Sequence, residues 1–357
     1  MAPRRSKALL EALAIVAPGQ PLREGLDRIL KASMGALIVV GDGPEVLNIC
    51  SGGFLLDAAF SPQRLSELAK TDGAIILAPD ASRIARANVH LVPNPNVPTT
   101  ETGTRHRTAE RVARAIGVPV ISVSEDMAVL TMYMHDAKHQ LDTIPSILNR
   151  CNQALQTLER YRLRLDEVSG SLTALEIEDL VTVREVVTLL QRTEVVMRLS
   201  EEIERYLVEL GTDGRLVRLQ LNELMAGVED DRRQVVLDYF QPDASWNLEQ
   251  AMATLSDLGT EQLLDTELVA EALHLSGGTT DVNGSLQARG YRLLSRVPRL
   301  PAELAYRLVD EFHTLDKILR ATPDDLAGID GVGDTWAHVI KDALAHIAES
   351  SILDRYT

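Results

Sequence analysis

Two five-residue runs, Ala36–Val40 (ALIVV) and Ala74–Ala78 (AIILA), contain no polar side chain. A strand wetted on one face alternates apolar and polar residues, so a run without alternation has to be covered on both faces. These two segments therefore require a sheet with a packed layer on each side. The neighbouring sequence supplies the layers: from Met34 to about Met134, β-rich runs (GALIVVGD, GAIILAPD, VPVISVS, MAVLTMYM) alternate with helical patterns (SPQRLSELAK, TRHRTAERVARAIG). That alternation predicts an α/β domain built on a central mixed sheet.

From about His135 to Ser276 the texture changes to long Leu/Val/Glu/Arg stretches with apolar residues at helical spacing. Val187, Leu190 and Met197 are examples, with Glu194 as a polar interruption. This predicts an all-α spine, a spacer or oligomerisation element in which no chemistry is legible. The Gly/Ser/Thr/Asn/Asp-rich stretch SGGTTDVNGS, Ser276–Ser285, is the best linker candidate. A compact helical tail follows. The 357 residues thus divide into expected domains at 1–145, 146–284 and 285–357. At the N-terminus, MAPRRSKALLEALAIVAPG reads as an amphipathic first helix rather than a signal peptide, because Glu11 interrupts its apolar run. No apolar stretch is long enough to span a bilayer, so no membrane partner is expected. The two cysteines, Cys50 and Cys151, cannot build a disulfide framework and suit a reducing cytoplasm.

Against 52 acidic residues the chain has 36 Lys and Arg, a formal net charge of -16. Such a balance excludes a protein that coats nucleic acid electrostatically, so any DNA contact must be local. With 4% aromatic residues, base-stacking platforms are not expected to dominate. One place runs against the charge: TRHRTAER, Thr104–Arg111. Thr104 stands at the expected N-cap of a helix, and Arg107, Arg111 and Arg114 share a face. Arg105, His106 and Arg107 then coincide with free backbone N–H groups and the positive dipole end, a combination that binds phosphate. Arginine forks plus the Thr104 and Thr108 hydroxyls favour a polyphosphate; the alternative is a solvated basic helix start paired with nearby acids. A second element, Asp72–Gly73, heads the AIIL run. A carboxylate held there suits Mg²⁺, which completes its shell with water and substrate phosphates, although an Asp-Gly pair is also a common turn. His135 and His139 have the spacing of a helical ligand pair, but no Glu-x-x-His context or cysteine accompanies them, and no metal is assigned there.

In the tail, GIDGVGDTWA, Gly328–Ala337, reads as a hairpin between two helices, with glycines at 331 and 333 for tight turns and Ala337 for close packing. It resembles the helix-hairpin-helix motif of DNA-binding proteins, whose hairpin amides, here those of Gly331, Val332 and Gly333, grip phosphates without reading bases. Asp330 and Asp334 flank it and repel phosphate. A single tail should bind weakly, and several tails on an oligomer more usefully. The preceding VPRLPAELAYRLVDEF looks like a second, degenerate copy. A purely structural helix pair is the alternative.

Taken together, GALIVVGD, SGGF, RLSELAKTDGAIIL, ANVHLVPNPNVPTTETGTRHRTAER and VISVSED resemble the diadenylate cyclase family over nearly the whole first domain. The resemblance implies condensation of two ATP into cyclic di-AMP and two pyrophosphates, with paired domains each holding one ATP. By matching positions it makes Asp72 the ligand of Mg²⁺ (or Mn²⁺), and gives Asp72, Arg105, His106 and Arg107 catalytic roles. Gly73 and Leu91 would line the adenosine pocket. Thr104, Arg105, His106, Arg107 and Thr108 would hold phosphates, with Ser124 another nucleotide contact. Thr71 stands where the family more often has Met. The helical middle and tail match members that scan DNA, which implies a cytoplasmic homo-oligomer, an octamer, whose activity responds to branched or damaged DNA such as Holliday junctions during DNA repair. The alternative is a non-enzymatic DNA-binding scaffold that holds nucleotide as a ligand. A nuclease lacks the clustered carboxylates of a two-metal site.

Overall fold

The computed structural model describes residues 6–125, 127–240, 247–275 and 282–354, and the chain divides into two compact units. The first comprises Met1–Gln153 with Glu202–Gln220; the second comprises Ala154–Glu201 with Leu221–Thr357. In order, the elements that open the chain are α1 (Lys7–Ile15), α2 (Pro21–Lys31), β1 (Ala36–Val40), α3 (Pro44–Asn48), β2 (Cys50–Ser51), β3 (Phe54–Ala59), α4 (Pro62–Leu68), β4 (Ala74–Leu77), β5 (Arg83–Leu91), α5 (Thr104–Ile116), β6 (Val120–Ser124), β7 (Val129–Met134) and β8 (Ala137–Gln140). Helices follow: α6 (Ile144–Glu178), α7 (Val183–Leu210), α8 (Arg215–Met225), α9 (Val228–Tyr239), α10 (Leu248–Asp257), α11 (Thr260–Leu264), α12 (Thr266–Ala272), α13 (Tyr291–Ser295), α14 (Ala302–Phe312), α15 (Leu315–Arg320), α16 (Pro323–Ala327) and α17 (Gly333–Asp354).

The strands form one mixed sheet in the order β2-β5-β4-β1-β6-β7-β8, with β3 also paired to β5. β1 runs parallel to β4 and antiparallel to β6. Every residue of β1 and β4 is buried, as their unbroken apolar runs require. On one face Ile38, Val40, Ile75, Leu77, Ile121 and Val123 pack with Leu9 and Leu13 of α1, Leu26 and Ile29 of α2, and Leu65 of α4. On the other, Leu37, Val39, Ala74, Ile76 and Val120 pack with Ala109, Val112 and Ala113 of α5. The N-terminal segment is the amphipathic helix its pattern suggests: Ser6 caps α1 by accepting from the Leu9 amide at 3.3 Å. Met1 to Arg5 lie outside the described residues.

Two strands escape the hydrophobic pattern. In β3 (FLLDAA) Phe54 and Leu55 are exposed, and in β5 arginines and asparagine punctuate the run. Both are set by pairing to an already covered sheet rather than by their own alternation. His135 and His139 lie on the β7–β8 turn and on β8, so they are no helical pair. The His135 ring packs against Gly117, and His139 Nε2 pairs with Glu209 at 2.9 Å.

The second unit is helical throughout its named elements, and its interior holds charge as well as leucine. Glu194, a polar interruption in the sequence pattern, is 3% exposed and paired with the equally buried Arg232, which also donates to Ser256 Oγ at 2.8 Å. Arg292, at the start of α13, is fully buried; it donates to both Glu176 oxygens at 3.2 and 2.8 Å and to Thr173 Oγ1 at 2.7 Å. Tyr239 donates to Glu176 at 2.8 Å, and the Asp238 carboxylate accepts the amides of Gly290, Tyr291 and Arg292. Burial and the neighbouring Glu176 push Asp238 up to about 7 in spite of those donors. Of the linker candidate, 276–281 lie outside the described residues, and 282–286 pair with 181–184 through Val183 to Gly284, Arg184 to Val282 and Leu286 to Val181. Among the helices of the described residues, none is long and apolar enough to cross a membrane.

Breaking a buried ion pair strands the remaining charge, whereas removing both partners does not. Arg292→Met should therefore destabilise the second unit by roughly 3–5 kcal/mol in denaturant unfolding, and the double variant with Glu176→Leu should recover most of the loss. Equal destabilisation by single and double variants would refute the ion-pair account.

Candidate active site

Sheet register decides which sequence motifs meet. Leu37 pairs with Ala74 across parallel β1 and β4, Ala74 with Val89 across β4 and β5, and Ala36 with Val123 across β1 and β6. The amino ends of β1 and β4 and the carboxyl ends of β5 and β6 therefore share one end of the sheet. Gly35, Asp72, Gly73, Leu91 and Ser124 all fall there. α5 begins at the same end, because the Arg105 guanidinium lies on Gly35: a Cβ built on that glycine would stand 2.0 Å from Nη1.

Asp72 is exposed and makes no hydrogen bond or ion pair among the described residues. Gly73 stands in the left-handed region, at φ +97°. The space of its missing Cβ is taken by β5, whose Asn88 and Val89 backbone atoms would lie 2.8–2.9 Å away. β5 carries an irregularity there, with Asn88 at φ +54°, and Gly53 (φ +78°) packs on the same stretch. The two glycines seat the bulge, and the bulge fixes where Asp72 leaves β4. Among the described residues no three His, Cys, Asp or Glu side chains gather around a metal position. A lone exposed carboxylate fits a hydrated hard cation that takes its remaining ligands from water and substrate phosphates, and no other kind.

At the start of α5 the cap is Gly103, with extended backbone and no side-chain capping bond; Thr104 is the first helical residue, one position later than its hydroxyl suggests. The first-turn amides consequently have no side-chain acceptor from the cap residue, and they open beside Arg105 and Arg107. Arg105, Arg107 and the Thr104 side chain are exposed, Thr108 half-buried, and neither arginine has a carboxylate partner among the described residues. Arg111 and Arg114 turn away from this cluster. Arg111 Nε donates to Val97 O at 3.0 Å and Arg114 Nη1 to Pro98 O at 2.7 Å, so they grip the loop that leads into the helix. Buried Glu110 closes the same clamp, accepting from the Thr99 hydroxyl and from the Thr100 amide at 3.0 Å. Burial alone would raise its carboxyl, but Thr99, Thr100 and Arg114 together hold it below the usual carboxylate range.

His106 is tied inward. Its Nδ1 lies 2.9 Å from the Tyr133 hydroxyl, which donates to Glu101 at 3.1 Å, and Lys138 Nζ pairs with the same Glu101 oxygen at 2.5 Å. Burial lowers the His106 pKa; Glu101 opposes the shift, while Lys138 and Arg105 reinforce it. Tyr133 and Lys138 carry no motif, Glu101 has no assigned role within the quoted segment, and the pairing of β7 with β8 beside α5 brings the three together. Leu91, expected to line a nucleotide pocket, spends its side chain in the core and is 6% exposed. Ser124 Oγ accepts the Met127 amide at 3.4 Å and so serves the β6–β7 turn.

In the second unit the hairpin 328–332 joins α16 to α17, with Gly331 at φ +86° and Gly333 at φ +58°. Val332 is buried at 2% exposure and Ala337 fully buried, so both side chains belong to helix packing. Gly331 faces Arg307 and Leu304; Gly333 faces open space. Arg307 donates to Asp330 O at 2.6 Å and pairs with its carboxylate at 2.9 Å, partly neutralising one of the two flanking acids.

Residues 23–138 match the family model described as DisA bacterial checkpoint controller nucleotide-binding, and 141–282 match that of the DisA bacterial checkpoint controller linker region. The DNA integrity scanning protein DisA of Parafrankia sp. (strain EAN1pec) is 55% identical over 96% of this chain and 96% of its own. That of Streptomyces coelicolor is 51% identical over 97% of this chain and 93% of its own. Among solved structures, DacA from Staphylococcus aureus aligns with 21% identity and a TM-score of 0.30 over 39% of this chain and 91% of that one. Identity of this extent along nearly the full length means that the chain belongs to the DisA family of DNA integrity scanning proteins and is a diadenylate cyclase.

Proposed function

We propose that the end of the sheet where Asp72 and the tip of α5 meet is the ATP site, and that two such sites face each other to make cyclic di-AMP. One observation carries this reading: Arg105 lies on Gly35, at the head of the strand that pairs in parallel with the one Asp72 precedes. The first-turn amides of α5, the Arg105 and Arg107 guanidiniums and the Thr104 and Thr108 hydroxyls hold the triphosphate and stabilise charge on the departing pyrophosphate. His106 takes part in the same phosphate contact. The backbone of Gly73 and Leu91 borders the adenosine, with Ser124 next to it. Mg²⁺ or Mn²⁺ held by Asp72 supplies charge neutralisation at the phosphates and favours ionisation of the attacking hydroxyl.

Each of the two condensations forms one bond from a 3′-oxygen to an α-phosphorus, breaks the bond from that phosphorus to the departing pyrophosphate and releases one proton, and the second closes the ring. A single site holds one ATP, so the second reactant comes from a second copy of the chain. The domains follow as 1–145 for synthesis, 146–284 for assembly and 285–357 for DNA. Assembly into a cytoplasmic octamer brings several tails together, which raises the avidity of a weak phosphate-gripping hairpin at Gly331, Val332 and Gly333 for a four-way junction. Junction engagement then lowers cyclase activity by moving facing sites out of register.

Incubating the protein with ATP and Mg²⁺ or Mn²⁺, read by mass spectrometry, tests the synthesis. Asp72→Asn should reduce cyclic dinucleotide formation by at least roughly a hundredfold while leaving junction binding intact. No product from the unmodified protein would favour a scaffold that merely holds nucleotide, and full activity of the variant would remove Asp72 from the site. For the tail, Gly333 sits in the left-handed region that Asn and Asp tolerate, with open space where a Cβ would go. Gly333→Asp should therefore weaken junction binding about tenfold more than Gly333→Asn in a filter or polarisation assay. Equal binding by the two would place the DNA contact elsewhere.

A further inference from the structure

The hydrogen-bond chain that ends at His106 has only one consistent proton order. Tyr133 has a single hydroxyl proton, and Glu101 accepts it; a carboxylate oxygen 3.1 Å from a phenol oxygen with no proton between them would be repulsive. Burial and the Glu101 carboxylate hold the Tyr133 phenol well above its usual value, so it keeps that proton. The contact at 2.9 Å between Tyr133 and His106 is then made by a proton on Nδ1. A neutral imidazole protonated on Nδ1 has a bare lone pair on Nε2. That atom has no hydrogen-bond partner among the described residues, and the ring edge that carries it lies toward Gly103 at the helix tip, with Cδ2 3.6 Å from a Cβ built there.

We propose that Tyr133 and Glu101 are positioning residues that fix His106 in the Nδ1–H form, so that triphosphate binding at the α5 tip requires uptake of one proton on Nε2. This rests on the reading of that tip as the phosphate site. A lone pair facing a phosphoryl oxygen is repulsive; a proton taken from solvent turns it into an Nε2–H donor and leaves an imidazolium. The groups facing that imidazolium are Glu101 from the entry loop, which stabilises it through Tyr133, and Lys138 from β8 and Arg105 from α5, which oppose it. Burial thus favours the neutral form of free His106, and the bound triphosphate favours the charged one. Where binding raises a pKa, affinity is full below the free-state value and falls as pH rises through the bound-state value.

Calorimetry of 3′-deoxy-ATP with the full chain tests this, because that nucleotide lacks the attacking hydroxyl. Titrations at one pH in buffers of different ionisation enthalpy give the number of protons taken up. The expected result is an uptake greater by about half to one proton in the wild type than in Tyr133→Phe, since loss of the phenol frees the ring to carry its proton on Nε2. Glu101→Gln keeps the hydroxyl but removes the charge, and should lower uptake in the same direction. In turnover, KM for ATP should rise by up to about tenfold per pH unit above neutrality in the wild type and less than about twofold in Tyr133→Phe. A structural role alone would weaken binding without changing proton number. Identical uptake in the wild type and either binding-competent variant overturns the proposal, and absence of 3′-deoxy-ATP binding by the wild type overturns the phosphate-site reading with it.

Discussion

The pairing of β1 with β4 and β6 is the constraint on which the first unit depends. Because both faces of β1 are buried, Ile38 and Val40 belong to one core and Leu37 and Val39 to the other. A slip of one residue would exchange the two sets and present each layer with side chains of the wrong reach. That register also decides that Asp72, Gly35 and Ser124 end at the same level, beside the start of α5. Hydrophobic packing two layers deep thus sets the level at which these groups stand.

A chain with a formal net charge of -16 builds a cationic site by turning acids inward. Glu110 is buried under the entry loop and Glu101 is engaged by Tyr133 and Lys138, so the acids close in sequence to Arg105 and Arg107 are already committed to other partners. Beyond about 8–10 Å exposed charges are screened at physiological ionic strength, so the surplus carboxylates elsewhere matter little to the field at the helix tip. Arg111 and Arg114 share in this arrangement from the far side: by holding Val97 O and Pro98 O they set the path along which Gly103 enters the helix.

The second unit follows a different logic. Its helices meet around Arg292 with Glu176 and Arg232 with Glu194. Such pairs add little net stability, because desolvation offsets their attraction, but a misplaced helix would leave a bare charge in the interior. Asp238 holding three amides at the head of α13 works the same way, fixing where the tail begins.

Periodicity and unbroken apolar runs were enough to specify the mixed α/β layer, the long helices and the amphipathic first helix, because these follow from how side chains repeat along a single segment. The Asp-Gly pair and the Arg-His-Arg tip were equally visible, since their chemistry lies in residue type and spacing. What a linear reading could not supply was every relation across the sheet. The Cβ side of Gly73 faces β5, the Leu91 side chain turns into the core, the Ser124 hydroxyl accepts an amide of the β6–β7 turn, and Thr104 yields the cap to Gly103. The groups chained to His106 lie five residues before it and far beyond it, on the loop that enters α5 and on strands β7 and β8. Local sequence thus determined which groups exist and which helix or strand bears them; only the tertiary structure decided which of them touch, because strand register and two-sided burial are settled by contacts between segments remote in the chain.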